Sequence, residues 1–135
     1  MKSFKKVLIR ILALSMLLVL PIRAYAATSD TDTASVSGYS VSFGVWKSSS
    51  SKVYGHTSAV HTSGVQINPL VAWITVGGMR LNGQSQTNTP VSVVESNNLT
   101  QVSASDTVDL GSGFLRGWGY HEFCGYTLRD TIFYT

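Results

Sequence analysis

Cysteine occurs once in the 135 residues, at Cys124. A single thiol excludes an intramolecular disulfide, so this is not a small secreted domain of the stapled kind. Charge is sparse as well, with ten Lys and Arg and seven Asp and Glu. Five of the bases (Lys2, Lys5, Lys6, Arg10 and Arg23) lie within the first 26 residues, and every acid lies beyond them. The remainder therefore carries five bases against seven acids, a net charge of −2. It has no basic run to follow a phosphate backbone, which argues against nucleic-acid binding. No window sustains apolar residues at helical spacing, and no internal repeat is present. Nucleotide-binding glycine loops followed by Lys-Ser/Thr are missing, and so is a GxSxG nucleophile elbow.

What is present begins with the first 26 residues. "MKSFKK" is a basic head, "ILALSMLLVLPI" an apolar run over 11–22, and "AYA" ends it at Ala24–Ala26. This order describes a secretory signal peptide, with cleavage expected after Ala26. The apolar run falls short of the roughly 20 residues a spanning helix needs. No cysteine follows the cleavage site to carry a lipid, and "RDTIFYT" at the end offers no anchor. The expectation is a secreted protein with no membrane span once the signal is removed. Export without disulfides fits a bacterium, and a Gram-positive one would need a single membrane crossing.

Residues 27–34, "ATSDTDTA", are small and polar and read as a flexible leader. Residues 35–135 then form one domain of ordinary size. Leu, Ile, Val and Phe make up about 24% of the chain after the signal, above the ~20% below which disorder is expected. Valine outnumbers leucine 13 to 6 in that part, a bias toward strands. In "GYSVSFGVW" the alternation places Tyr39, Val41, Phe43 and Val45 on one face. In "VYGHTSAVH" it places Tyr54, His56, Ser58 and Val60 together. "LVAWITV", 70–76, reads as a central strand buried on both faces, and Gly77-Gly78 as a tight hairpin. "VSVVE" is a strand, "LTQVSAS" and "TVDL" are two weaker ones, and the residues from Phe114 onward form a closing pair. The fold class is all-β: a small antiparallel β-sandwich or barrel of six to eight short strands.

Chemistry-bearing residues are few. His56 and His61 are five apart, so one straight strand points them to opposite faces. His121 and Glu122 oppose each other for the same reason, and so do His121 and Cys124. No metal site, cofactor or catalytic residue is expected. Asp106 and Asp109 read as turn residues. Twelve aromatics remain after the signal. Phe43, Trp73 and Phe123 are the expected core members. The passage "RGWGYHEFCGY", 116–126, leaves two alternatives open. Trp118, Tyr120, Glu122 and Cys124 share one strand face; Gly119, His121 and Phe123 share the other. Burial is the common fate of large aromatics, which would put Trp118 inside. If Phe123 points inward instead, Trp118 and Tyr120, with Tyr126, become a candidate contact surface.

"VYGHTSAVH" also resembles the Tyr-, His- and Ser-rich segment of lactococcin-type bacteriocins, which are likewise exported, disulfide-free and β-rich. That resemblance implies a secreted antibacterial role, the alternative to the main expectation. The main expectation is a non-enzymatic protein acting through surface contacts with a protein or cell-envelope partner. A secreted hydrolase would need a cleft gathering Cys124, His121 and an acid.

Overall fold

A computed structural model of the chain describes residues 28–135. The expected signal peptide and its cleavage site lie outside the described residues. Ten strands follow in order: β1 Ser29–Val36, β2 Tyr39–Lys47, β3 Lys52–His61, β4 Leu70–Arg80, β5 Ser85–Thr87, β6 Val91–Glu95, β7 Gln101–Asp109, β8 Phe114–Phe123, β9 Tyr126–Thr127 and β10 Thr131–Tyr134. There is no helix among the described residues, hence none long and apolar enough to cross a membrane. All pairings are antiparallel. Sheet A runs β1-β2-β3-β7. Sheet B runs β10-β8-β4, with β5 and β6 both pairing β4, and β9 pairing β8.

The period-two patterns decide which faces meet. Tyr39, Val41, Phe43 and Val45 of β2 are all buried, as expected. With Val53 and Ala59 of β3 and Val102, Ala104 and Val108 of β7, they form the inner face of sheet A. Leu70, Ala72, Ile74 and Val76 of β4, with Phe123 and Phe133, form the inner face of sheet B. The two faces share one apolar core, the main source of stability in a disulfide-free chain.

Several expectations are corrected. Residues 29–34 are not a leader but most of β1, laddered along β2 from Ser29↔Trp46 to Val36↔Tyr39. Their polar composition hid this, because β1 is held by backbone pairing and by Arg129. That guanidinium donates to both Asp30 oxygens at 2.8 and 2.9 Å and to Asp32 at 2.6 Å. Asp30 also accepts the backbone N–H of Ile132 at 2.8 Å, tying β1 to β10. Gly77 and Gly78 are not a hairpin turn but continue β4. A Cβ at Gly77 would lie 2.2 Å from the Trp118 indole nitrogen, and one at Gly78 would lie 2.3 Å from Leu110. Both glycines are there for side chains that lie across them. The two weak strands expected over 99–110 are one, β7, and Asp106 sits within it rather than in a turn. Trp73 is not core: it alternates onto the outer, half-buried side of β4. The strand count rises to ten because β1, β5 and β9 are short or polar.

Side chains also close the other edge. The Asn88 side-chain amide nitrogen donates to Asp106 Oδ2 at 2.8 Å and to the Thr107 carbonyl at 2.9 Å. Its backbone N–H bonds the Val76 carbonyl at 2.9 Å, so one residue links sheet B to β7.

Candidate binding surface

The local sequence of β8 explains its orientation. Its inner row is Gly117, Gly119, His121 and Phe123, and its outer row is Arg116, Trp118, Tyr120 and Glu122. A Cβ at Gly117 would meet Phe133 at 2.7 Å and Val53 at 2.8 Å. One at Gly119 would meet Val45 at 2.7 Å and His121 at 2.8 Å. The inner positions must therefore be small where side chains from β2, β3 and β10 already fill the core. The large aromatics of the same strand are turned outward. Of the two alternatives open for this passage, Phe123 is the inward one.

His121 is the one buried histidine among the described residues, 1% exposed. It bridges the sheets, with Nδ1 2.8 Å from Thr57 Oγ1 of β3 and Nε2 2.8 Å from Thr131 Oγ1 of β10. A neutral ring has one donor and one acceptor nitrogen, and two hydroxyls can answer both. Burial, with smaller contributions from His56 and Arg129, pushes its pKa down to about 4. Both ring nitrogens are thus occupied, and neither is open to Cys124. Cys124 itself lies in the β8–β9 turn at φ 46°, followed by Gly125 at φ 81°, the backbone of a two-residue type I′ hairpin. Its sulfur accepts the Val71 N–H at 3.4 Å. His56 faces outward from β3, whereas His61 packs edge-on against buried Tyr39 with centroids 5.0 Å apart. Among the described residues no three His, Cys, Asp or Glu gather as a metal site.

The outer face of sheet B holds most of the candidate surface. Register sets Trp118 opposite Ile132 and Arg116 opposite Tyr134 on β10. On β4 it sets Gly77 opposite Trp118 and Thr75 opposite Tyr120. The Trp118 indole lies over Gly77, and the Arg116 guanidinium lies 5.3 Å from the indole centroid. Tyr120, Ile132 and Tyr134 are exposed by 42%, 39% and 56%, on the outer rows of the paired strands β8 and β10. A shallow groove of about 330 Å³ crosses this face, floored and walled by Ser85, Arg116, Trp118, Tyr120, Asp130 and Ile132. Three polar atoms here are buried without a hydrogen-bond partner among the described residues: Thr75 Oγ1, Arg116 Nε and Trp118 Nε1.

Tyr126 does not belong to this patch. It pairs with Phe123, so its side chain leaves β9 on the inner side of sheet B, toward sheet A. There its hydroxyl receives the Ser37 hydroxyl at 3.3 Å. The structure brings Trp118 and Tyr120 together and separates Tyr126 from them. Arg116, Ile132 and Tyr134 are the members that sequence reasoning missed. The period-two alternation of "TIFYT" was the available signal for the last two. A smaller cluster lies on the outer face of sheet A, where Trp46 packs against Tyr54 at 4.5 Å and His56 at 5.1 Å between centroids. Those rings cover one another and leave less surface to a partner. No known protein-family profile matches the chain, and no characterised protein matches it either.

Proposed function

We propose that the chain is a small secreted, non-enzymatic β-sandwich of a Gram-positive bacterium that acts through the outer face of sheet B on a cell-envelope component. One observation carries this reading: Trp118 and Tyr120 stand outward on β8 beside Ile132 and Arg116, while the glycines between them face the core. Exposed Trp and Tyr offer large rigid contact area at little entropic cost. A sandwich rather than a barrel is supported by the seam between β1 and β10, which side chains of Asp30 and Arg129 bridge without a strand ladder. The non-enzymatic reading is supported by the commitment of His121 to two threonines and of Asp106 to Asn88.

Two measurements test the reading. N-terminal sequencing of protein recovered from the culture medium is expected to start at Ala27; a chain retaining Met1 in the membrane fraction contradicts export. The recovered protein is expected to co-sediment with isolated Gram-positive cell walls, and Tyr120→Ala to reduce the retained fraction several-fold. Equal retention of Tyr120→Ala and wild type contradicts the assigned face.

A further inference from the structure

We infer that the groove on the outer face of sheet B takes a short, flat oligosaccharide; this rests on the reading of that face as the working surface. The groove is lined from β5 by Ser85, from β8 by Arg116, Trp118 and Tyr120 and from β10 by Ile132, and β4, between β5 and β8, is covered there by Trp118 over Gly77. Three interstrand steps of ~4.8 Å give the groove a length of about 14 Å. Part of its lining is aromatic and apolar, with Trp118, Tyr120 and Ile132. Its polar members are open to a ligand: the side chains of Ser85 and Asp130 and the guanidinium of Arg116, which rests beside the Trp118 indole, make no hydrogen bond or ion pair among the described residues. Thr75, 5% exposed and directly opposite Tyr120, holds a further unpartnered hydroxyl on the same face.

This pattern of an apolar floor with unspent donors and acceptors at its rim selects among ligands. A pyranose ring has apolar C–H faces and hydroxyls around its edge, so it can lie on an aromatic ring while its edge groups reach the rim. A lipid chain would cover Arg116, Asp130 and Ser85 without answering them, which is costly for polar groups. An extended peptide would add to a sheet edge. At the β10 edge, however, the Ile132 N–H is already taken by Asp30 at 2.8 Å. The groove also crosses the strands rather than running beside one. A β-1,4-linked chain is the ribbon that presents successive flat faces, whereas an α-1,4-linked chain coils away from such a floor.

The test is a titration of the protein with the soluble tetramer of β-1,4-linked N-acetylglucosamine, read by tryptophan fluorescence and by backbone amide shifts. Maltotetraose is the α-linked comparison. Saturable binding of the β-linked tetramer is expected, weakened at least about tenfold in Trp118→Ala. Because Trp118 also covers Gly77, Tyr120→Ala and Arg116→Gln serve as variants at exposed or half-exposed positions, and each is expected to weaken binding while the unfolding midpoint stays put. Trp46→Phe, on the opposite face, is expected to bind as wild type does. Equal affinity for both tetramers, or loss of neither in the three groove variants, overturns the inference. If neither tetramer binds while cell walls still retain the protein through Tyr120, the sugar assignment falls and the surface reading stands. If wall retention is itself indifferent to Tyr120, the surface reading falls first.

Discussion

His121 makes the stability of this protein depend on pH in a way that can be worked out from its surroundings. The ring is 1% exposed and stands among Phe43, Thr57 and Thr131, with His56 behind it and the Asp30–Arg129 pair to one side. Its pKa falls from an ordinary 6.5 to about 4 on folding. Below pH 6.5 the unfolded chain therefore binds a proton that the folded chain refuses. The stabilisation is complete above pH 6.5 and is lost as pH falls toward 4. At ~1.36 kcal/mol per unit of separation, the loss on reaching pH 4 is about 3 kcal/mol. That is a large part of the ~5–15 kcal/mol that holds a domain together. His56 is also depressed by burial and acts in the same direction. Urea unfolding followed by tryptophan fluorescence at pH 7.5, 6, 5 and 4.5 measures the slope. The wild-type midpoint is expected to change little above pH 6.5 and to fall with growing slope from pH 6 to 4.5, and His56→Gln to keep most of that fall. His121→Gln, which can still hydrogen-bond both threonines, is expected to be less stable at pH 7.5 but nearly flat with pH. A wild-type midpoint that does not move between pH 7.5 and 4.5, or a His121→Gln slope equal to that of wild type, refutes the reasoning.

Other consequences follow from contacts that cannot relax cheaply. Gly77→Ala places a Cβ 2.2 Å from the Trp118 indole nitrogen. The indole must leave its seat, so a loss of ~1–3 kcal/mol in urea unfolding is expected, with a shifted Trp emission maximum. Asp30→Ala leaves the Ile132 N–H and one side of Arg129 unanswered. It is expected to cost ~1–3 kcal/mol, while Asp32→Ala, whose partner keeps Asp30, should be hard to distinguish from wild type in the same assay. The Arg129 guanidinium holds the Asp30 carboxyl below its ordinary range. Asp30 thus stabilises the fold above its unfolded pKa of 3.8 and loses that contribution as pH falls further, a second acid step absent from Asp30→Ala.

The alternation from Tyr39 to Val45 was legible because inward and outward residues differ in polarity at every step. The all-β class followed from several such runs. The orientation of β8 was not legible for a physical reason. Counting bulk alone, Trp118 and Tyr120 look like core and Gly117 and Gly119 like surface. The order is reversed because Phe133, Val53 and Val45 arrive over the glycines from other strands, and no local pattern announces such an approach. β1 escaped notice because its ladder is made by backbone, and its Asp30 finds Arg129 some 99 residues away. Gly77-Gly78 resembles a turn dipeptide, yet the true two-residue turns are Ser37-Gly38 and Cys124-Gly125, where both residues have positive φ. The second of these carries Tyr126 onto the far side of the sheet, so nearness in "RGWGYHEFCGY" did not mean nearness on one surface.

The claim that the outer face of sheet B is the working surface can be tested by footprint. Amide shifts of the isotope-labelled protein would be recorded with and without muramidase-solubilised Gram-positive cell-wall fragments. Changes are expected to be confined to β4, β8 and β10, centred on Thr75, Arg116, Trp118, Tyr120 and Ile132. Changes centred instead on Trp46, Tyr54 and His56 of sheet A, or no changes at saturating fragment, would contradict that claim.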